Sequence, residues 1–432
     1  MSFEWYRDFV DVGYVPRADE IKAFFKYKPT SGMLPIDAVG RLASESSIGT
    51  WTTLSLLSKR IKKLMARVYK YDDSHAYIAY PKELWEPGSV PQLMSGIGGN
   101  IFGMKAVESL RLVDAELPSW FIKSFYGPTH GVGVIKTIFK RKRGPITATV
   151  PKPKLGFTSK EHTEVAFNLW TGGLDCVKDD ENLTSQSFNK FNDRVKLLSK
   201  ARDKAEKLTG DVKEAFINVT APNFKELEKR VDLIHAHGFR YFMIDVVISG
   251  FTAVKTAAEL ARERKMAIHA HRAMHAMMTR SPMHGMSMYF LAKLCRLMGV
   301  DQIHTGTVIG KLEGDKSEIM AMRDMLLKQR VDVVPEICMA QSFGKIKPVL
   351  PVVSGGLHPG ILPEVMRIYG TDSIVLQVGG GVMGHPDGVY AGARAVYDAI
   401  EAYHNGYSLE EYAKKSKYLA KALQKWGHAK PV

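Results

Sequence analysis

Residues 172–182 read Gly-Gly-Leu-Asp-Cys-Val-Lys-Asp-Asp-Glu-Asn. A short apolar run, Leu174 with Cys176 and Val177, ends in one lysine, three acids and an amide, with no turn residue between them. On a β-strand successive side chains point to opposite faces, so Lys178 and Asp180 share a face while Asp179 points away. Glu181 falls where the strand ends and its pleat relaxes. Two carboxylates at a strand terminus make a hard-oxygen site suited to Mg²⁺. An ammonium repels a metal ion, so Lys178 either pairs with the acids or is converted into something anionic. A plain salt bridge at a strand-to-loop junction accounts for the segment equally well, and only the rest of the chain can decide.

Working outward, the same grammar repeats from residue 146 onward. Strand-like runs cover 146–153, 174–181, 215–221, 241–248, 266–273, 302–307, 349–355 and 374–380. Helical patterns separate most of them: 223–237 follows an Asn cap and stops at Gly238, and 252–264 carries Ala and Leu at helical spacing. Further helices are expected at 286–298, 317–329, 362–369 and 391–403. Strand and helix alternating eightfold over about 250 residues is the rhythm of a (β/α)8 TIM barrel. A doubly wound sheet is the competing arrangement, but no G-x-G-x-x-G follows the first strand. Ahead of the barrel the beat is irregular, with extended runs at 20–27 and 75–79 and helices near 34–43, 90–95 and 106–112. The expected organisation is a smaller α+β, ferredoxin-like domain over 1–127 and a barrel with C-terminal helices over 128–432.

The chain has 432 residues, 45% hydrophobic and 24% charged, enough for two domains and a large core. No run approaches ~18 uninterrupted apolar residues, and the start lacks the pattern of a secretory signal. Three scattered cysteines without metal spacing point to a reducing, cytoplasmic setting. Sixty Lys and Arg against 45 Asp and Glu give +15, with basic clusters at 59–67 and 136–143. Neither cluster carries a nucleic-acid reading motif, and 59–67 fits one solvated helix face. Polyanionic small substrates account for the charge more simply than nucleic acid does.

Barrel enzymes build their sites at the carboxyl ends of the strands. In chain order these ends carry Lys152 and Lys154; Lys178, Asp180 and Glu181; Asn218; Asp245; His269, His271 and Arg272; His304 and Thr307; Ser354, Gly355 and Gly356; and Gln377, Gly379 and Gly380. A lone strand histidine is usually core and a post-strand glycine usually makes a turn, but the coincidence at every strand end marks a catalytic face. Glycines after the last two strands expose backbone N–H groups, a common phosphate site in barrels, and Ser354 adds a hydroxyl. Arg272 and His304 suggest a second anion site. Two anion sites across a metal imply a bisphosphorylated substrate. Lys152 and Lys154 are candidates to move protons. Lys311 lies in a loop bounded by Gly306, Gly310 and Gly314, suited to a lid that closes over substrate.

These residues resemble the large, catalytic subunit of ribulose-1,5-bisphosphate carboxylase/oxygenase, RuBisCO, over almost the whole length. The resemblance is carried by Glu45-Ser-Ser-Ile-Gly-Thr-Trp51, Gly99-Asn100-Ile-Phe-Gly, Lys152-Pro-Lys154-Leu-Gly, Lys178-Asp-Asp-Glu-Asn, His269-Ala-His271-Arg272-Ala-Met-His275, His304-Thr-Gly-Thr-Val-Ile-Gly-Lys311, Ser354-Gly-Gly and Gln377-Val-Gly-Gly-Gly. The wording is most similar to the archaeal form III branch, which implies salvage of ribose from nucleotides. The resemblance implies that activating CO₂ carbamylates Lys178, which with Asp180 and Glu181 then holds Mg²⁺. It implies ribulose 1,5-bisphosphate as substrate, with CO₂ or O₂ as the second reactant. Lys152 would carry protons, Lys154, His271 and Asn218 would assist, and Lys311 would stabilise the new carboxylate. Arg272 and His304 match one phosphate side; Ser354, Gly355, Gly356, Gln377, Gly379 and Gly380 match the other, with Thr50 and Trp51.

Nothing in the sequence places Glu45 and Asn100 on the barrel face. In the family they reach the neighbouring subunit's site, which implies a homodimer with shared sites and leaves assembly into larger rings open. No small subunit, nucleic acid or membrane partner is implied. Cys176 departs from the bulkier residue the family more often carries there, and Ile48 replaces a frequent threonine. The competing activities are a RuBisCO-like enolase or isomerase, disfavoured by the retained Lys311, Arg272 and His304, and remotely a basic nucleic-acid binder.

Overall fold

The first extended segments carry buried apolar side chains and pair into one sheet. Strand β1 (Ile21–Pro29) lies between β3 (His75–Tyr80) and β4 (Val107–Glu116), and β2 (Arg67–Tyr71) adds on the far side of β3, all antiparallel. The order β4-β1-β3-β2, with helices Pro35–Glu45 and Val90–Ile97 in the connections, is the expected ferredoxin-like α+β arrangement. The computed structural model describes residues 4–142, 144–309 and 316–430; Arg143 and residues 310–315, Lys311 among them, lie outside the described residues.

Two expectations are corrected here. Of residues 106–112, read as helix, 107–112 belong to β4. Pairing on both sides, with β1 and with the two-residue strand Gly285–Met286, overrides the local helical pattern. The basic run 59–67 is not one helix face, because helix ends at Lys62 and Arg67 opens β2. Met65 and Ala66 are buried, which turns the chain inward before the period-two pattern Arg-Val-Tyr-Lys-Tyr begins.

This sheet belongs to a unit of Met1–Tyr126 together with Met274–Met298 and Lys328–Ile346. The two later segments are tied to β4 by buried polar contacts. Lys293 Nζ lies 2.6 Å from Asp114 Oδ1 with both side chains fully buried, and Met339 N donates to Asp114 Oδ2 at 2.9 Å. Gln341 both donates to and accepts from the Leu117 backbone, at 2.9 Å each way.

The second unit, Gly127–Ala273, Gly299–Leu327 and Lys347–Val432, holds the barrel. Its strands are β5 (Ile146–Thr149), β6 (Cys176–Lys178), β7 (Glu214–Phe216), β8 (Tyr241–Asp245), β9 (Ala267–His271), β10 (Gln302–His304), β11 (Leu350–Ser354) and β12 (Val375–Gln377). All neighbours are parallel, in the order β7-β6-β5-β12-β11-β10-β9-β8. The ring closes through the Asn218–Met243 bridge, where Met243 N donates to Ile217 O at 2.8 Å and Val219 N to Met243 O at 2.9 Å. Each strand is shorter than the run expected from the sequence, and six of them end on a polar site residue: Lys178, Asp245, His271, His304, Ser354 and Gln377. Ile146, Cys176, Phe216, Tyr241, Met243, Leu350 and Val375 fill the interior. Cys176 is one of these packing residues, and burial pushes its thiol well above the usual range, where it is inert. No helix among the described residues is long and apolar enough to cross a membrane.

Candidate active site

The carboxyl ends of β5 to β9 bring the metal-type residues together. Lys178, the last residue of β6, is fully buried. Its Nζ donates to the carbonyl of Asp179 at 2.8 Å and lies 3.8 Å from Glu181 Oε2. Desolvation holds this amine below the ordinary lysine value, although Glu181, Asp245 and Asp180 pull the other way. Asp180 accepts from Lys152 Nζ at 2.9 Å and from Asn182 N and Nδ2 at 3.2 and 3.0 Å. Burial raises both carboxyls, but those hydrogen bonds hold Asp180 low, and the nearby Lys178 and His271 do the same for Glu181. Among the described residues no three His, Cys, Asp or Glu side chains are grouped to hold a metal. Asp180 and Glu181 supply two carboxylates beside the buried Lys178 amine.

Asn218 steadies this end without facing an open ligand position. Its Nδ2 donates to Glu181 O at 3.1 Å, and its Oδ1 accepts from Thr220 N at 3.0 Å. His271 Nδ1 lies 2.9 Å from Asp245 Oδ1 and 3.2 Å from Ala273 N. The carboxylate is the stronger, charged partner, so Nδ1 carries the hydrogen. That leaves the Nε2 lone pair on the side of Glu181 Oε2, 3.6 Å away. Desolvation and Lys178 together push His271 below its usual value.

On β9 to β11 a second network runs through Gln302, His269, His304 and Ser354. His304 Nδ1 lies 2.8 Å from Ser354 Oγ, and the His271 and His304 rings meet edge to face at 4.8 Å. Arg272, desolvated to about 10, lies beside Gly306. A Cβ built there would come within 3.1 Å of the guanidinium, and Gly306 has φ +87, so glycine suits the position twice over. After β11, Gly355 and Gly356 have φ 119 and 77. After β12, Gly379 heads the short helix Gly380–Met383, and a methyl on Gly379 or Gly380 would touch nothing within 4 Å. Gln377, paired beside Ser354, is buried with Oε1 lacking a hydrogen-bond partner among the described residues.

The remaining sequence-derived residues are not drawn into these contacts. Lys154 is exposed. Glu45 ends helix Pro35–Glu45, Asn100 opens the 3-10 turn Asn100–Gly103, and Thr50 with the 70% exposed Trp51 follows Glu45; all four belong to the other unit. Lys311 lies outside the described residues. Conversely, sequence reading gave no role to a supporting layer. Asp179 Oδ2 accepts from Arg194 Nε at 3.1 Å and from Asn218 N at 3.0 Å, and Arg194 Nη2 lies 3.1 Å from the same oxygen. His162 Nε2 sits 3.4 Å from Asp179 Oδ1 without hydrogen-bond geometry. The strand period did place Asp179 away from Lys178; nothing in the sequence named Arg194, from helix Phe191–Thr209, as its partner.

A parallel eight-stranded barrel with lysines, carboxylates, imidazoles and glycines at one end is a (β/α)8 enzyme with a polyanion-binding face. Family models for the ribulose bisphosphate carboxylase large chain match the sequence twice, the N-terminal domain over residues 8–121 and the catalytic domain over 131–426. The chain is 50% identical to the ribulose bisphosphate carboxylase of Pyrococcus abyssi, covering 100% of this chain and 99% of that protein. It is 48% identical to that of Pyrococcus furiosus, with full coverage of both. Among solved structures it is similar to a dimeric archaeal Rubisco from Hyperthermus butylicus, with TM-score 0.93, 47% identity and 98% and 100% of the two chains covered. It is also similar to an octameric Rubisco from Pyrococcus horikoshii OT3, with TM-score 0.91, 47% identity and 99% and 98% covered. The chain belongs to the ribulose bisphosphate carboxylase large-chain family. It is an enzyme, a carboxy-lyase of that type.

Proposed function

We propose that the barrel face carries out Mg²⁺-dependent carboxylation of ribulose 1,5-bisphosphate, with O₂ as the alternative reactant, and that Lys178 is carbamylated by activating CO₂. The observation that carries this is the Lys178 amine, fully buried, lowered by desolvation, donating one hydrogen bond to a carbonyl and lying 3.8 Å from Glu181 Oε2. A neutral amine is the form that attacks CO₂, and the carbamate would complete an oxygen-only donor set with Asp180 and Glu181. When bound, Mg²⁺ would act as a Lewis acid on the substrate's oxygens.

The chain's own residues do the rest. Lys152, held on Asp180, is the proton carrier for enolisation and for protonating the product carbanion. Asp245 keeps the His271 Nε2 lone pair directed toward the metal side, and Lys154 assists. Asn218 fixes the Glu181 backbone. Arg272 and His304 hold one phosphate; Ser354 and the glycines after β11 and β12 hold the other, with Thr50 and Trp51. Lys311 neutralises the carboxylate formed by CO₂ addition. The working unit is a homodimer in which Glu45 and Asn100 complete the partner's site, as dimeric and octameric relatives favour. We assign this activity to the cytoplasm and to nucleotide-ribose salvage, a reading that the archaeal origin of the relatives supports.

The test is acid-stable product from ribulose bisphosphate, labelled bicarbonate and Mg²⁺. Wild-type enzyme is expected to fix label after preincubation with CO₂ and Mg²⁺, and Lys178→Ala to fix none. CO₂-dependent activation surviving in Lys178→Ala would remove that lysine from the activation step.

A further inference from the structure

Gln302, the first residue of β10, is fully buried, and its side-chain nitrogen lies 2.6 Å from Nδ1 of His269 on β9. An amide nitrogen can only donate, so Nδ1 accepts. A neutral imidazole whose Nδ1 accepts carries its hydrogen on Nε2. His269 Nε2 lies 2.9 Å from His304 Nε2, so His304 accepts there and carries its own hydrogen on Nδ1. That hydrogen points at Ser354 Oγ, 2.8 Å away, and occupies a hydroxyl lone pair. The Ser354 hydrogen is then left for another acceptor.

The rings have little freedom to change these partners. Phe216 stacks on His269 at 4.4 Å with 13° between the planes, and His304 stands at 90° to it. Desolvation pushes both imidazoles well below their usual range, so both are neutral and each holds one ring hydrogen. The chain of donors therefore has two directions. In the one that the Gln302 amide sets, Ser354 is a donor; in the reverse it gives its hydrogen to His304 and shows an incoming anion only lone pairs.

We propose that Gln302 and His269 are positioning residues that, through His304, set the Ser354 hydroxyl as a hydrogen-bond donor to an anionic oxygen of the sugar-bisphosphate substrate. This deepens the reading of Ser354 as a substrate-binding residue and rests on it. Neither Gln302 nor His269 touches substrate; each acts through its neighbour.

The experiment is nitrogen NMR of histidine-labelled enzyme together with steady-state kinetics. Wild type is expected to show His269 protonated at Nε2 and His304 at Nδ1. Gln302→Glu replaces the donor by an acceptor, so both hydrogens should move to the opposite nitrogens. KM for ribulose bisphosphate should then rise roughly tenfold with kcat held, the cost of one lost hydrogen bond to a charged group. In a Ser354→Ala background the same substitution should leave KM unmoved. A wild-type spectrum with His304 protonated at Nε2, or with exchanging tautomers, overturns the proposal even if Gln302→Glu fails to fold. A KM increase that persists without Ser354 overturns it too. The spectrum needs no turnover, so it decides the relay even if the carboxylase roles above fail.

Discussion

Asp179→Asn separates the structural acid of the Lys178–Glu181 run from the two that face the site. Asp179 is 2% exposed, and its Oδ2 accepts one hydrogen bond from Arg194 Nε and one from Asn218 N, with Arg194 Nη2 ion-paired at 3.1 Å. Arg194 is fully buried; its remaining N–H groups go to Asn189 O, Asn189 Oδ1 and Thr184 O, at 3.1, 3.0 and 2.8 Å. An amide in place of the carboxylate therefore leaves a buried guanidinium facing neutral acceptors alone. Breaking a buried pair from one side costs about 3–5 kcal/mol, and the altered hydrogen bonds, about 1 kcal/mol each, lie within that figure. Urea unfolding followed by tryptophan fluorescence should show a loss of this size. A second effect follows from Asn218, which is held by Asp179 at its backbone and itself holds the Glu181 carbonyl at 3.1 Å. The Mg²⁺ concentration needed for half-maximal activity should rise, because Glu181 loses its support while Lys178 keeps its own contacts. A stability loss below about 1 kcal/mol would refute the reasoning, since it would mean that the guanidinium is not paying for burial through this carboxylate.

His162, buried and held down to about 4 by desolvation, should make the protein acid-sensitive in a defined window. The unfolded chain takes up this proton near pH 6.5 and the folded chain refuses it. The associated stability is therefore full above pH 6.5 and falls toward pH 4 by on the order of 3 kcal/mol. His162→Gln should flatten that part of the unfolding profile, and an unchanged slope would assign the acid sensitivity elsewhere. Mixing inactive Lys152→Ala and Glu45→Ala chains should restore about a quarter of wild-type activity, since half the dimers are mixed and each has one intact site. No rescue despite demonstrated subunit exchange would count against shared sites.

The barrel was legible because parallel strands buried on both faces write themselves as apolar runs, and because each run stops at a polar residue. Lys178-Asp-Asp-Glu shows both the power and the limit of that reading. Period two separated Asp179 from its neighbours, and the structure bears this out in the opposite partners of Asp179 and Asp180. Sequence could not supply Arg194, because a buried cation on an amphipathic helix leaves no mark of whom it faces. Nor could it tell helix from strand at 106–112, where Val-Glu-Ser-Leu-Arg-Leu fits either period and the outcome was set by strands far away in the chain. Lys22 shows the same dependence: it pairs with Glu116 at 2.7 Å only because β1 and β4 lie side by side.

Two imidazoles meet at the centre of the barrel mouth, and their supports differ in a way that suits their sides of the site. His271 is held by the buried carboxylate of Asp245, which fixes its hydrogen on Nδ1 and leaves electron density on Nε2 beside Glu181. His304, 4.8 Å away ring to ring, is held by neutral groups alone, Ser354 on one nitrogen and His269 on the other. A carboxylate behind an imidazole favours positive charge on it; a neutral donor chain in a desolvated pocket opposes it. Under the proposed function the first arrangement would place a lone pair toward the metal, and the second would keep its neighbour neutral while directing hydrogens outward toward the substrate's anion. Exchanging the supports would put a lone pair toward the phosphate and a hydrogen toward the metal ligands. The polarity of the site is therefore set behind the imidazoles, by Asp245 on one side and Gln302 on the other.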